Sequence, residues 1–177
     1  ATRGAMAAII GLDEPATRAV CAEAGVELAN LNCPGQLVIS GEADAVARAC
    51  DLAKVRGARR ALPLPVSGAF HSRLMASAQP KLAVILASVA ISPPAVPVIA
   101  NVTARPHGDP STIRARLVEQ VTSSVRWEDS IRYLLAQGIA RFIELGPGTA
   151  LSGFVRRIDK QIQVLNVADA QSLETTV

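Results

Sequence analysis

The chain has 177 residues, half of them apolar but only 3% aromatic, with a formal net charge of +3. That length suits one sizeable core or two small ones, and the apolar share excludes intrinsic disorder. The basic residues are spread out, with no Lys/Arg block and no interleaved aromatics, which argues against nucleic acid, and the longest apolar run, 82–91, is far too short to span a bilayer.

In chain order, residues 6–11 form an apolar run closed by Gly11, the pattern of a buried strand. Asp13 caps a helix predicted through residue 24, with Pro15 tolerated in its first turn. Two strand-like runs, 26–31 and 36–40, flank the turn chemistry of Asn32, Cys33, Pro34 and Gly35. A second helix spans 43–55, and 58–64 reads as a fourth strand. The order β-α-β-β-α-β predicts a ferredoxin-like subdomain over residues 5–64.

Pro63, Pro65 and Gly68 mark a boundary, and residues 65–177 form the second expected unit. It comprises a long helix over 72–89, a strand over 96–102, helices over 111–121 and 127–137, a strand over 141–145, a helix ending near 158 and a strand over 163–167. Alternating strands and helices imply a parallel sheet. Three strands are few for one, so this half is expected to complete an α/β sheet whose other strands precede residue 1. The chain opens without Met and its core pattern begins almost at once, as in an internal stretch of a longer protein. Cys21, Cys33 and Cys50 are too few and too far apart for a disulfide framework or a zinc site, so the expectation is no metal and a reducing, cytoplasmic setting.

Only two histidines are available for proton chemistry. His107, between Pro106 and Gly108, reads as a solvated turn residue. His71 follows Val66-Ser67-Gly68-Ala69-Phe70, a bend between a strand and a helix, where either a functional histidine or a structural one capping the helix would stand.

The segment Ala58 through Ser67, continued by Gly68-Ala69-Phe70-His71-Ser72-Arg73-Leu74-Met75, resembles the histidine region of the malonyl-CoA:acyl-carrier-protein transacylases. Met6-Ala7-Ala8-Ile9-Ile10-Gly11-Leu12, Asn30-Leu31-Asn32-Cys33-Pro34-Gly35-Gln36, Val38-Ile39-Ser40-Gly41, Asn101-Val102-Thr103, Gln120, Val125-Arg126-Trp127 and Glu144-Leu145-Gly146-Pro147-Gly148 follow in the family's order. Together they cover about residues 4–160.

The resemblance implies a ferredoxin-like subdomain set into an α/β-hydrolase-like body. It also implies a ping-pong transfer of malonyl from coenzyme A, through a serine ester, to the phosphopantetheine thiol of an acyl carrier protein in fatty-acid biosynthesis. Malonyl-CoA and phosphopantetheine are then substrates, and no cofactor is tightly bound. His71 matches the base, and imidazole titrates close enough to neutrality to take and return a proton. Gln120 matches the position whose main-chain carbonyl orients that histidine. Phe70 matches a position that selects malonyl over methylmalonyl by bulk, against the alternative of a plain core phenylalanine. Asn30, Asn32 and Met6 match positions lining the substrate cleft, although turn chemistry around Pro34-Gly35 accounts equally well for the asparagines. Arg59, Arg60, Arg73, Arg156 and Arg157 are read either as solvated charge or as facing an acidic carrier protein.

The family's nucleophile stands on a Gly-x-Ser-x-Gly elbow. Ser40-Gly41, Ser67-Gly68 and Ser152-Gly153 each lack the glycine two residues before the serine. The chain is therefore expected to hold the histidine half of the site and to be inactive alone, with the serine on an N-terminal segment outside it. A fragment of a polyketide or fatty-acid megasynthase, or a noncatalytic binding or scaffolding subunit, are the alternatives.

Overall fold

The computed structural model describes residues 4–176. Strands β1 (Gly4–Ile10), β2 (Glu27–Cys33), β3 (Gln36–Glu42) and β4 (Arg60–Pro63) form one antiparallel sheet in the order β2-β3-β1-β4. Helices α1 (Glu14–Ala24) and α2 (Ala43–Val55) cover one face of it.

Local chemistry sets these boundaries. The Asp13 carboxylate accepts the Ala16 N–H at 2.9 Å, and Gly25 closes α1 in a left-handed conformation with its N–H on the Cys21 carbonyl. Removing that cap in Asp13→Ala should lower the unfolding free energy by about 1 kcal/mol, read from a shifted denaturant midpoint with unchanged slope. The inner stripe of α1 is Thr17, Val20, Cys21 and Ala24, and that of α2 is Ala45, Val46, Ala49, Cys50 and Ala53. Such small side chains let both helices approach the sheet closely. Strand alternation divides the rest. Ala7, Ile9, Leu37 and Ile39 face the helices, whereas Met6 and Val38 point to the other face and pack with Ala29 and Leu64.

Beyond β4 come a 3₁₀ helix (Arg73–Ala78), α3 (Gln79–Ser88), the two-residue strands β5 (Ile99–Ala100) and β6 (Arg105–Pro106), α4 (Pro110–Gln120) and α5 (Trp127–Ala136). The chain continues through β7 (Arg141–Leu145), α6 (Ala150–Ile158), β8 (Gln163–Val167) and α7 (Ala170–Thr176). β7 and β8 pair in parallel, and Val164 of β8 is buried with Ile131 of α5 and Val155 of α6, with Phe142 of β7 and Trp127 packed against that cluster. The Glu144 carboxylate of β7 accepts the Leu151 and Ser152 N–H groups at 3.1 and 2.8 Å, capping α6 from a strand seven residues away.

Three expectations change. The helix over 72–89 is broken, because Pro80 lacks the N–H that a continuous helix needs there, so the chain winds as 3₁₀ through Ala78 and α3 starts afresh. The strand over 96–102 shrinks to Ile99–Ala100. Pro97 offers no ladder donor, and the chain turns back after Ala100, with Ala104 at φ +54°. Of the strands among the described residues only β7 and β8 pair in parallel, since β5 is taken up by an antiparallel pairing with β6. No helix among the described residues is long and apolar enough to cross a membrane.

Candidate active site

His71 is held from three directions. After β4, the Leu64 N–H still donates to the Met6 carbonyl at 2.9 Å, so the chain leaves the sheet alongside β1. It then folds back until Ala69, only 2% exposed, rests on Gly4. A Cβ at Gly4 would stand 2.5 Å from the Ala69 nitrogen, so glycine is what permits the approach. Ser72, fully buried, donates from its hydroxyl to the Ala69 carbonyl at 2.7 Å and accepts the Leu74 N–H at 3.3 Å. The helix cap is thus Ser72, and His71 is left free of that role.

Between these anchors His71 takes φ +59°, one of two non-glycine residues with positive φ among those described. A left-handed conformation in a side-chain-bearing residue persists only where the surroundings over-determine it. The third constraint is a hydrogen bond from ring Nδ1–H to the Gln120 carbonyl, 3.1 Å away and 49 residues later in sequence. Gln120 is the last residue of α4, where its carbonyl has only a long 3.4 Å bond from the Ser123 N–H and the helix dipole is negative, so a further N–H aimed there is favoured.

That bond also assigns the tautomer. The Gln120 side-chain Nε2 lies 3.4 Å from the same ring nitrogen but is occupied by the Ser123 carbonyl at 2.8 Å. A carbonyl can only accept, so Nδ1 carries the proton and Nε2 keeps its lone pair. The imidazole is half-exposed and can present that lone pair to an incoming hydroxyl.

His71 borders a pocket of about 440 Å³ whose walls include Arg18, Cys21, Glu27 and Ser123. Its charged residues are paired, Arg18 with Glu14 at 2.7 Å and Glu27 with Arg73 at 2.5 Å. Burial pushes the Cys21 thiol up to about 11, so it is no thiolate at neutral pH and no substitute nucleophile beside the imidazole.

The other sequence-predicted residues lie nearby in different states. Phe70 is 41% exposed, its ring 3.7 Å from where a Gly68 Cβ would stand, so it is not a core residue. Met6 is buried under Leu64 on the helix-free face of the sheet. Asn30 pairs with Val38, which points to that same face, and bridges to Val125. Asn32 falls where the β2–β3 register shifts between Leu31 and Cys33. Both asparagines are half-exposed. Chemistry by residue type did not single out Gly4, Ala69 or Ser72. The serine following His71 was the one available signal, since it is a good cap before a run of helix formers. His107, read as a solvated turn residue, instead has its Nδ1 buried without a partner, and desolvation lowers its pKa.

Comparison with known proteins adds the family. The acyl transferase domain family matches residues 1–175. The malonyl CoA-acyl carrier protein transacylase of Bacillus subtilis (strain 168) is 47% identical over all of this chain and 57% of its own length. The crystal structure of an acyl carrier protein S-malonyltransferase from Vibrio cholerae superposes with a TM-score of 0.96 at 44% identity, covering 99% of this chain and 58% of that one. A malonyl-transacylase solved in complex with its type II polyketide acyl carrier protein matches with a TM-score of 0.96 at 40% identity, over 98% of this chain and 58% of that one. The chain thus spans a little over half the length of the relatives it matches, and by sequence and by fold alike it belongs to the acyl transferase domain family.

Proposed function

We propose that this chain supplies the histidine half of a malonyl-transfer site, acting on malonyl-CoA and the phosphopantetheine thiol of an acyl carrier protein. The observation that carries this reading is the Nδ1–H bond from His71 to the Gln120 carbonyl, which leaves Nε2 as a positioned base. A serine hydroxyl is a weak nucleophile until a neighbouring base takes its proton. His71 Nε2 would accept that proton as the oxygen attacks the malonyl thioester, then return it to the leaving coenzyme A sulfur. With the carrier's thiol as second nucleophile the same two transfers run in reverse, and the serine is regenerated. No Gly-x-Ser-x-Gly occurs in the 177 residues, so the serine comes from polypeptide outside them.

The remaining residues follow from this arrangement. Phe70, adjoining His71 in sequence and exposed, would crowd a methyl on the malonyl carbon, while Met6, Asn30 and Asn32 line the cleft beside the pantetheine. Residues 5–64 form a ferredoxin-like subdomain in this reading, supported by their β-α-β-β-α-β order and the strand order β2-β3-β1-β4. Residues 65–177 are the C-terminal part of a hydrolase-like body. The support is the short parallel β7–β8 pair, whose outer side chains Ile143 and Leu145 are uncovered, Leu145 by 78%. A polyketide carrier protein is the second acceptor class, favoured by the solved complex of a relative.

The test is transfer of radiolabelled malonyl from coenzyme A to a carrier protein. The full-length protein should catalyse it and the 1–177 polypeptide should not, and robust transfer by the latter would refute the divided site. In the full-length protein, Phe70→Ser should lower the preference for malonyl over methylmalonyl roughly tenfold, as befits about 1–3 kcal/mol of steric discrimination, and an unchanged substrate ratio would count against that role.

A further inference from the structure

The turn that carries His71 has few polar ties to the four-stranded sheet and its helices. Ser72 fixes the shape of the turn, but both of its bonds stay within residues 69–74. Gly4 makes room for Ala69 without holding it. Among the described residues, every hydrogen bond that joins residues 67–78 to residues 4–64 comes from Arg73. Its two Nη atoms donate to the Gly25 carbonyl at 3.3 and 3.2 Å, and Nη1 also donates to Glu27 Oε1 at 2.5 Å. Arg73 follows His71 by two residues, so this fork grips the turn from its C-terminal side.

The acceptors suit a guanidinium. Gly25 caps α1 at the negative end of the helix, where a cation is favoured. Glu27 opens β2, and its Oε2 is buried without a partner, so Arg73 is the one group its carboxylate holds among the described residues. Glu27 also lines the pocket that borders His71, which places the ion pair beside the imidazole. Most of the ion pairs join residues three or four apart in sequence. Two span longer stretches, Arg56–Glu23 across 33 residues and Arg73–Glu27 across 46, and of these only the second reaches the histidine turn.

His71 is therefore restrained from two separate parts of the chain. Its ring is bonded to Gln120 of α4, and the backbone beside it is tied to the junction of α1 and β2. Strained backbone at φ +59° keeps its place only while such restraints persist. We infer that Arg73 is a positioning residue for the transfer reaction. Its fork on Gly25 and Glu27 holds the turn where the imidazole keeps Nδ1–H on the Gln120 carbonyl and leaves Nε2 free for a serine hydroxyl. The inference rests on the malonyl-transfer reading and adds the residue that sets where the base stands.

The experiment pairs steady-state transfer by full-length protein with the imidazole nitrogen NMR resonances, which distinguish an Nδ1–H tautomer from an Nε2–H one. The His71 signals are assigned by their loss in His71→Ala. Arg73→Ala should lower kcat roughly tenfold or more while KM for malonyl-CoA and for carrier protein stays within about twofold, since the base is displaced and substrate binding is not. The same variant should move the His71 signals away from a pure Nδ1–H tautomer. Arg73→Lys keeps the charge facing Glu27 but cannot fork onto Gly25, and should recover part of both effects. Arg56→Ala breaks the other long-range pair and should change neither. Arg73 is exposed, so the fold is not at risk. Parental kcat or an unmoved His71 tautomer in Arg73→Ala would overturn the inference while leaving malonyl transfer standing. A raised KM for carrier protein with kcat retained would overturn it too, placing Arg73 in carrier docking. So would equal losses in Arg56→Ala, which would reflect general loosening of the helices on the sheet. Absence of transfer by the parental protein would instead refute the underlying function, and the resonances would still report whether Arg73 places the ring.

Discussion

Full-length protein carrying His71→Ala should transfer malonyl roughly 10²–10⁴-fold more slowly than the parent, the range expected for loss of a positioned general base. The loss should fall on kcat and kcat/KM together, because deprotonating the nucleophile matters in the transition state and little in substrate binding. His71 is half-exposed and at φ +59°, so removing its ring leaves no cavity, and the variant should unfold at much the same denaturant concentration as the parent. Gln120→Ala is the matched control. The ring is oriented by the Gln120 carbonyl, which alanine retains, so activity should change far less than in the histidine variant. Equal, severe losses in both would show that the Gln120 side chain, and not its backbone, holds the imidazole.

Gly4→Ala should damage the site without touching it. The added methyl would lie 2.5 Å from the Ala69 nitrogen and 2.9 Å from its Cβ, contacts that neither group can escape by turning a flexible side chain. Gly4 is held in register opposite Glu42 of β3, at the end of a seven-residue ladder, so the segment that moves is Ala69 and with it His71. Overpacking of this kind costs about 1–3 kcal/mol. Displacing a catalytic group by about 1 Å is worth as much as 10²-fold in rate. The expected result is therefore a modest drop in stability joined to a large fall in kcat. Parental kcat in Gly4→Ala would mean that the Ala69 turn relaxes without moving the imidazole. Ser72→Ala, which removes the 2.7 Å bond to the Ala69 carbonyl, would then be the variant to separate turn stability from ring placement.

Local patterning in the sequence determined a large part of this protein. The Asp13 cap, the helical stripes of α1 and α2 and the Gly-Pro turns are contests decided within a few residues, so composition and period settle them. Where a local signal misled, it was one residue overruling a longer pattern, as Pro80 does within 72–89 and Pro97 within 96–102. The resemblance to the transacylases marked His71 and Gln120, yet nothing in their residue types brings together an imidazole and a carbonyl 49 positions apart, because a backbone carbonyl is the same in every residue. Tertiary packing alone decided that Ala69 would sit on Gly4, that His71 would be driven to positive φ, and that Arg73 would reach back across 46 residues to Glu27. Those outcomes depend on distances between segments far apart in the chain, which periodicity does not encode.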